Sequence, residues 1–278
     1  MKKTSKHTVY RKKKDTKQSR ARVRRIKKLL LFILLVTGVI IFARSSFFIV
    51  GEIKVVGSNK YKSKDVIERT GLVTGQNVFK MLGEKPKNLI SFRFNDSEQS
   101  IYKSMPYIKT VSIRPALPKS ISIKIQERTP FAILENKGTS LLIDREGYVL
   151  EIVKGAELKN KYFKIMGTSV DSFNLGQVVK FKNRSPLEQL TSFCDILLKD
   201  DKTSKVKLFG KITSVRVSEL NRLVVDFDNR ITVKFGDLED VGYNIRFFKQ
   251  LFVNNITANQ KGTLDFTTGD NPYFVPDE

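Results

Sequence analysis

The chain has 278 residues, with 51 Lys and Arg against 28 Asp and Glu, one Cys, one His and no Trp. Hydrophobic residues make up 40%, which supports a buried core rather than wholesale disorder, and the length suits about two domains of roughly 100–150 residues. The lone Cys194 excludes an intrachain disulfide framework and a Cys-rich zinc site, the lone His7 excludes a multi-His centre, and no metal or cofactor is expected.

A pI near 10.0 points to nucleic acid or an anionic membrane surface, and the position of the charge decides between them. Fourteen Lys and Arg against one acid, Asp15, lie in residues 1–28, while the other 250 residues hold 37 bases and 27 acids. The excess therefore belongs to the amino-terminal tail, which lacks apolar periodicity and reads as disordered.

Residues 29–43 are uncharged and mostly apolar. As a helix they cover roughly 22 Å, short of the ~30 Å hydrocarbon core, and extension through Arg44, Phe47 and Phe48 to Val50 gives about 33 Å. On this reading a transmembrane helix occupies 29–50, Arg44 snorkels outward and the two Phe rings sit in the interfacial belt. The upstream bases hold residues 1–28 in the cytoplasm, so the chain after about residue 50 is extracytoplasmic. Cleavage at Ala43-Arg44-Ser45 is the rival, but the long basic stretch and Arg44 favour an uncleaved signal anchor.

Beyond the span, residues 52–57 read as a strand and 63–71 as a helix with Ser63 at its start and Gly71 at its end. Asn95-Asp96-Ser97-Glu98 has capping-box spacing for a second helix that stops before Pro106. Residues 108–114 and 120–127 read as two strands, with Ile121, Ile123 and Ile125 on one face. The order β-α-α-β-β makes a small α+β module over 51–128.

After Pro130, strands are expected at 131–134, 139–143 and 147–152, separated by turn residues. Ser185-Pro186 opens a helix carrying Leu187, Leu190, Phe193, Ile196 and Leu197. Strands at 213–217, 222–227 and 230–235 follow, the last two joined by a tight Asp228-Asn229 turn. A helix starting at Asp237 carries Leu238, Val241, Ile245, Phe248 and Phe252, and 262–266 is the final strand. Residues 129–270 thus form a mainly antiparallel β domain with two helices, and 271–278 a short tail.

Catalytic constellations are missing. Cys194 lies on an amphipathic helix and reads as a small buried hydrophobe, and His7 falls on the opposite side of the span from it. A Ser-His-Asp triad fails for the same lack of a His. Asp200-Asp201 and Asp144/Glu146 read as solvated surface carboxylates rather than a glycosidase pair. No Gly-rich phosphate loop or nucleic-acid motif occurs, so neither nucleic acid nor a small-molecule substrate is expected. Sequons at Asn95, Asn183 and Asn255 carry little weight alone.

Several stretches are familiar in their order and spacing. Residues 48–57 (FIVGEIKVVG), 106–115 (PYIKTVSIRP) and 117–132 (LPKSISIKIQERTPFA) resemble the POTRA domain of the FtsQ type. Residues 142–150 (LIDREGYVL) resemble the start of that family's β domain, and GTLDF at 262–266 with Pro272-Tyr273-Phe274 its closing strand. The chain is similar to the FtsQ/DivIB bacterial division family nearly throughout.

That resemblance implies a non-catalytic divisome scaffold, enriched at the septum, that binds FtsL and FtsB/DivIC-type proteins and helps regulate septal peptidoglycan synthesis. It places partner contact at Leu264, Asp265, Phe266 and Thr267, with Tyr243 and Phe247 on the preceding helix. A terminal edge strand there could accept a partner strand by β-augmentation. The alternative is a POTRA-bearing secretion or assembly component, which would want tandem POTRA units or a membrane barrel.

Overall fold

The basic stretch and the apolar segment form one continuous helix, α1 (Lys14–Ala43). The structure, a computed structural model, describes residues 14–154, 156–183, 185–217, 222–236, 238–268 and 272–277. The expected disorder of the basic tail therefore does not hold from Lys14 onward; residues 1–13, His7 included, lie outside the described residues. Arg20–Ala43 is long and apolar enough to cross a membrane. Its length is gained on the amino side, where Lys and Arg are good helix formers whose stems can snorkel, and not through residues 44–50. Arg44 N still bonds Ile40 O, but the chain then turns, because Phe48 and Val50 are buried in the folded part beyond.

The remaining elements follow in order. β1 (Glu52–Val56), α2 (Ser63–Thr70), α3 (Val78–Gly83), α4 (Pro86–Ser91), α5 (Asn95–Ser104), β2 (Ile108–Ala116) and β3 (Ser120–Glu127) complete the first module. Then come β4 (Pro130–Asn136), β5 (Thr139–Asp144), β6 (Val149–Val153), α6 (Ala156–Lys161), β7 (Lys164–Met166), β8 (Val170–Ser172) and β9 (Lys180–Phe181). The chain continues with α7 (Leu187–Thr203), β10 (Ile212–Val217), β11 (Leu223–Phe227), β12 (Ile231–Gly236), α8 (Val241–Asn254), β13 (Gly262–Asp265) and β14 (Tyr273–Pro276).

The first module carries a three-stranded sheet in the order β1-β3-β2. Ile121, Ile123 and Ile125 are buried on one face, as the period-two pattern requires. Two short helices, α3 and α4, stand between the expected pair. Both have local signals that a periodicity search passes over: Asn77 caps α3, and Pro86 opens α4.

By packing, the chain divides into two compact units, and the division runs through β1, β2 and β3. The first comprises residues 1–54, 71–95 and 112–123; the second comprises 55–70, 96–111 and 124–278.

The second unit is built on a nine-stranded sheet in the order β14-β13-β12-β11-β10-β7-β4-β5-β6. Most neighbours are antiparallel, while β4–β7, β7–β10 and β12–β13 are parallel. The hairpin between β11 and β12 turns at Asp228 and Asn229, whose φ values of 51° and 55° are those of a type I′ turn. One large core joins α7 and α8 to the sheet, through Leu190, Phe193 and Leu197 on α7 and Ile245, Phe248 and Phe252 on α8. Strands β4 and β5 are buried on both faces. Leu134 and Leu141 belong to this core, whereas Ile133 and Leu142 pack with Tyr107 and Leu150 in a second cluster.

Small departures from the expected pattern have plain causes. Pro186 precedes the first residue of α7, and Leu187 N donates to Ser185 Oγ at 3.3 Å. Helix α8 begins at Val241, and Asp237 lies outside the described residues. Strands β7, β8 and β9 have two or three residues each, too short for any periodicity to announce them.

Candidate functional site at the C-terminal edge of the sheet

Helix α8 buries Val241, Ile245 and Phe248 against the sheet, which turns Tyr243 and Phe247 to its outer side. Tyr243 is 60% exposed. Its ring lies 6.3 Å from that of Phe247, which meets Phe266 edge-on at 5.9 Å. Phe266 in turn stacks on Phe235 at 5.9 Å and 5°, inside the core. An aromatic series thus runs from solvent to the hydrophobic interior, giving the exposed ring a rigid support.

Beside it, Asp265 is almost fully buried at the end of β13. Its Oδ1 accepts from Thr267 N at 2.8 Å and from Thr267 Oγ1 at 2.6 Å, and its Oδ2 meets Lys234 Nζ at 3.0 Å. Burial pushes the carboxyl upward, but the bonds from Thr267 and the Lys234 ammonium outweigh it and hold Asp265 below the usual carboxylate range. The residue is a structural anchor for the turn after β13.

Two parts of the sequence reading need correction. Leu264 is fully buried in the core, so its side chain presents nothing to a partner. Nor is β13 an edge: it pairs with β12 in parallel and with β14 antiparallel. Residues 262–266 are therefore not the last strand, and the free edge is β14, formed from what reads as a short tail. The approach of β14 depends on Gly262, where a Cβ would lie 2.3 Å from Val275 O and 2.6 Å from the Phe274 ring.

Asp277 N donates to Lys261 O at 3.0 Å, so along the antiparallel ladder Val275 and Tyr273 also face β13. The Phe274 N–H and C=O then face outward, and Pro276 offers only a carbonyl. The side chains of Tyr273 and Val275 are exposed. These two were missed because a four-residue strand after a turn carries no usable period.

The carboxylates read as solvated surface are also different in the structure. Asp201 is buried: its Oδ1 accepts from Leu208 N at 3.0 Å and Lys249 Nζ at 2.8 Å, and its Oδ2 from Phe209 N at 2.8 Å. Asp144 is buried against Arg128, with Nη1 to Oδ2 at 2.6 Å, and accepts from Glu146 N and Tyr148 N. Both are committed to the fold. Cys194 is fully buried, and desolvation raises its thiol to about 12, far from a thiolate at neutral pH.

The described residues thus hold one helix long and apolar enough to cross a membrane, a small α+β module, and a large sheet ending in β14 with its exposed Tyr273 and Val275. A family model described as "POTRA domain, FtsQ-type" matches residues 80–128. The chain is 27% identical over 228 residues to "Cell division protein DivIB" of Clostridium acetobutylicum, covering 82% of this chain and 83% of that one. It is 24% identical to the protein of that name from Clostridium tetani, over 81% and 78% of the two chains. For Clostridium botulinum the figure is 22%, over 93% of each. The resemblance to the FtsQ/DivIB family is thus shown along most of the chain.

Proposed function

We propose that this protein is a non-catalytic scaffold of the bacterial divisome, anchored by α1 with its amino terminus in the cytoplasm. In this role it binds FtsL and FtsB/DivIC-type partners at the septum through the outer side of α8 and the β14 edge, and so helps regulate septal peptidoglycan synthesis. The names of its relatives support the cellular role. The carrying observation is the exposed Tyr243 ring, held by Phe247 and Phe266 beside a strand whose outer backbone is unpaired by any described strand. Such a supported aromatic beside a sheet edge suits a partner that adds a strand and seats a side chain on the ring. An inert Cys194 and carboxylates committed to ion pairs support the non-catalytic reading.

The test is co-purification of the full chain with an FtsL–DivIC pair. Tyr243→Ala combined with Val275→Asp alters only exposed side chains, and should lower recovery of the pair by roughly tenfold or more with an unchanged melting temperature. Undiminished recovery would defeat this surface. A fluorescent fusion should form midcell rings, and uniform envelope signal would count against a divisome role.

A further inference from the structure

Helix α4 carries an apolar surface that the described residues leave exposed. Ile90 is 87% exposed and Leu89 50%, and Phe92, two residues after Ile90, is also exposed. Two adjacent branched aliphatics in water are unfavourable, and they stand on the unit that contains the end of α1.

That unit ties the helices closely to the point where the chain leaves α1. The Asn77 side chain donates to Ala43 O and Ser45 O, both at 2.9 Å, which satisfies carbonyls at the end of α1. The same side chain accepts from Phe79 N and Lys80 N and so caps α3. Rings continue the connection: Phe42 at the end of α1 meets Phe48 at 5.2 Å, Phe48 meets Phe79 at 4.9 Å, and Phe79 meets Phe92 at 6.2 Å. α3 is anchored below by Val78, Met81 and Leu82, all buried. The exposed face of α4 therefore begins where α1 ends.

Charge points the same way. After α1, this unit holds eight Lys and Arg against two acids, Glu52 and Glu84, whereas the other unit holds 29 bases and 25 acids. The mild basicity of the chain beyond the helix is concentrated next to the helix end. Lys80 on α3, Lys85 just before α4 and Lys87 within it are exposed.

We infer that α3 and α4 form a foot resting on the bilayer that α1 crosses, with Leu89, Ile90 and Phe92 in the interface and these Lys residues on anionic lipid headgroups. This is the amphipathic surface helix in miniature, made stable by a neighbouring span. Its function is to fix the tilt of the membrane-proximal unit. The inference rests on α1 being a membrane span, a premise shared with the proposed scaffold role.

The chain has no Trp, so an introduced indole reports one position. Full-length Ile90→Trp is placed in nanodiscs of phosphatidylcholine and phosphatidylglycerol, with and without brominated acyl chains; Leu35→Trp in α1 is the reference. Both indoles should be quenched, that at position 90 by roughly half, and less when Lys80, Lys85 and Lys87 are changed to Glu. Quenching at 35 but not at 90 overturns the foot and leaves the span intact. Quenching at neither position removes the span, and the foot with it. An indole at 90 that ignores bromolipid yet shifts to the blue when solubilised membrane proteins are added assigns the face to a protein partner, which also overturns the lipid reading.

Discussion

Arg128 shows how one side chain can fix a junction between chain segments. Its backbone N donates to Tyr107 O at 2.7 Å, its guanidinium pairs with buried Asp144 and reaches Glu146, and it lies 3.3 Å from the Tyr148 ring centroid. Asp144 in turn holds the N–H groups of Glu146 and Tyr148, closing the turn between β5 and β6. Removing one partner of a buried pair strands the other charge in a low dielectric, which costs far more than the pair itself is worth. Arg128→Met should therefore destabilise the full chain by about 3–5 kcal/mol in denaturant titration, and adding Asp144→Leu should recover a large part of that loss. A loss below about 1 kcal/mol would show that the pair is solvated. In sequence, Asp144-Arg145-Glu146-Gly147 announces only a turn, because the partner that buries Asp144 lies sixteen residues upstream.

Among the elements, β14 is the one whose presence changes the functional reading. It docks on β13 over the bare backbone of Gly262, with pairs Thr263↔Val275 and Leu264↔Phe274. A methyl group at that position meets the Phe274 ring and also backbone of the partner strand, Val275 O at 2.3 Å and Pro276 Cα at 2.9 Å, which cannot swing away as a side chain can. Gly262→Ala should therefore detach β14 while the core around Phe227 and Phe248 stays folded. Amide exchange in residues 273–277 should rise by roughly tenfold or more, with protection in β11 and β12 unchanged. Unaltered protection at Val275 would mean that the strand accommodates the methyl. In contrast, the β11–β12 hairpin was fully legible, since Asp and Asn tolerate the positive φ that its two-residue turn requires.

At the scale of the molecule, the buried carboxylates set the response to pH. Burial raises Asp201, but the Lys249 ammonium and the N–H groups of Phe209 and Leu208 outweigh it and hold the carboxyl low, as Thr267 and Lys234 do for Asp265. A depressed folded-state value means stability that is fully present above the ordinary Asp value of about 3.9 and is lost as pH falls through the lower folded value. For Lys249, desolvation is outweighed by Asp200 and Asp201, and its folded value is raised, so that contribution is lost only at strongly alkaline pH. The full chain should thus hold its denaturant midpoint through neutral pH and lose it below about pH 4. Asp201→Asn should lower the neutral plateau by about 1.5–3 kcal/mol and flatten the acid limb. An unchanged acid limb would exclude Asp201 as a source.

The sequence by itself determined the apolar helix, the alternating strands β2 and β3, the hairpin at Asp228-Asn229 and the amphipathic faces of α7 and α8, because each is encoded in neighbours a few residues apart. The family resemblance pointed to Tyr243, Phe247 and Phe266, which the structure brings into one aromatic series. Only the tertiary structure decided that Leu264 is core, that β13 is covered, that Asp144 and Asp201 are buried, and that Asn77 joins α3 to the end of α1. Those facts depend on partners distant along the chain, and on a strand and helices too short to have a period. Local chemistry selects the elements; which of their faces remain open to solvent or membrane is settled by what packs against them.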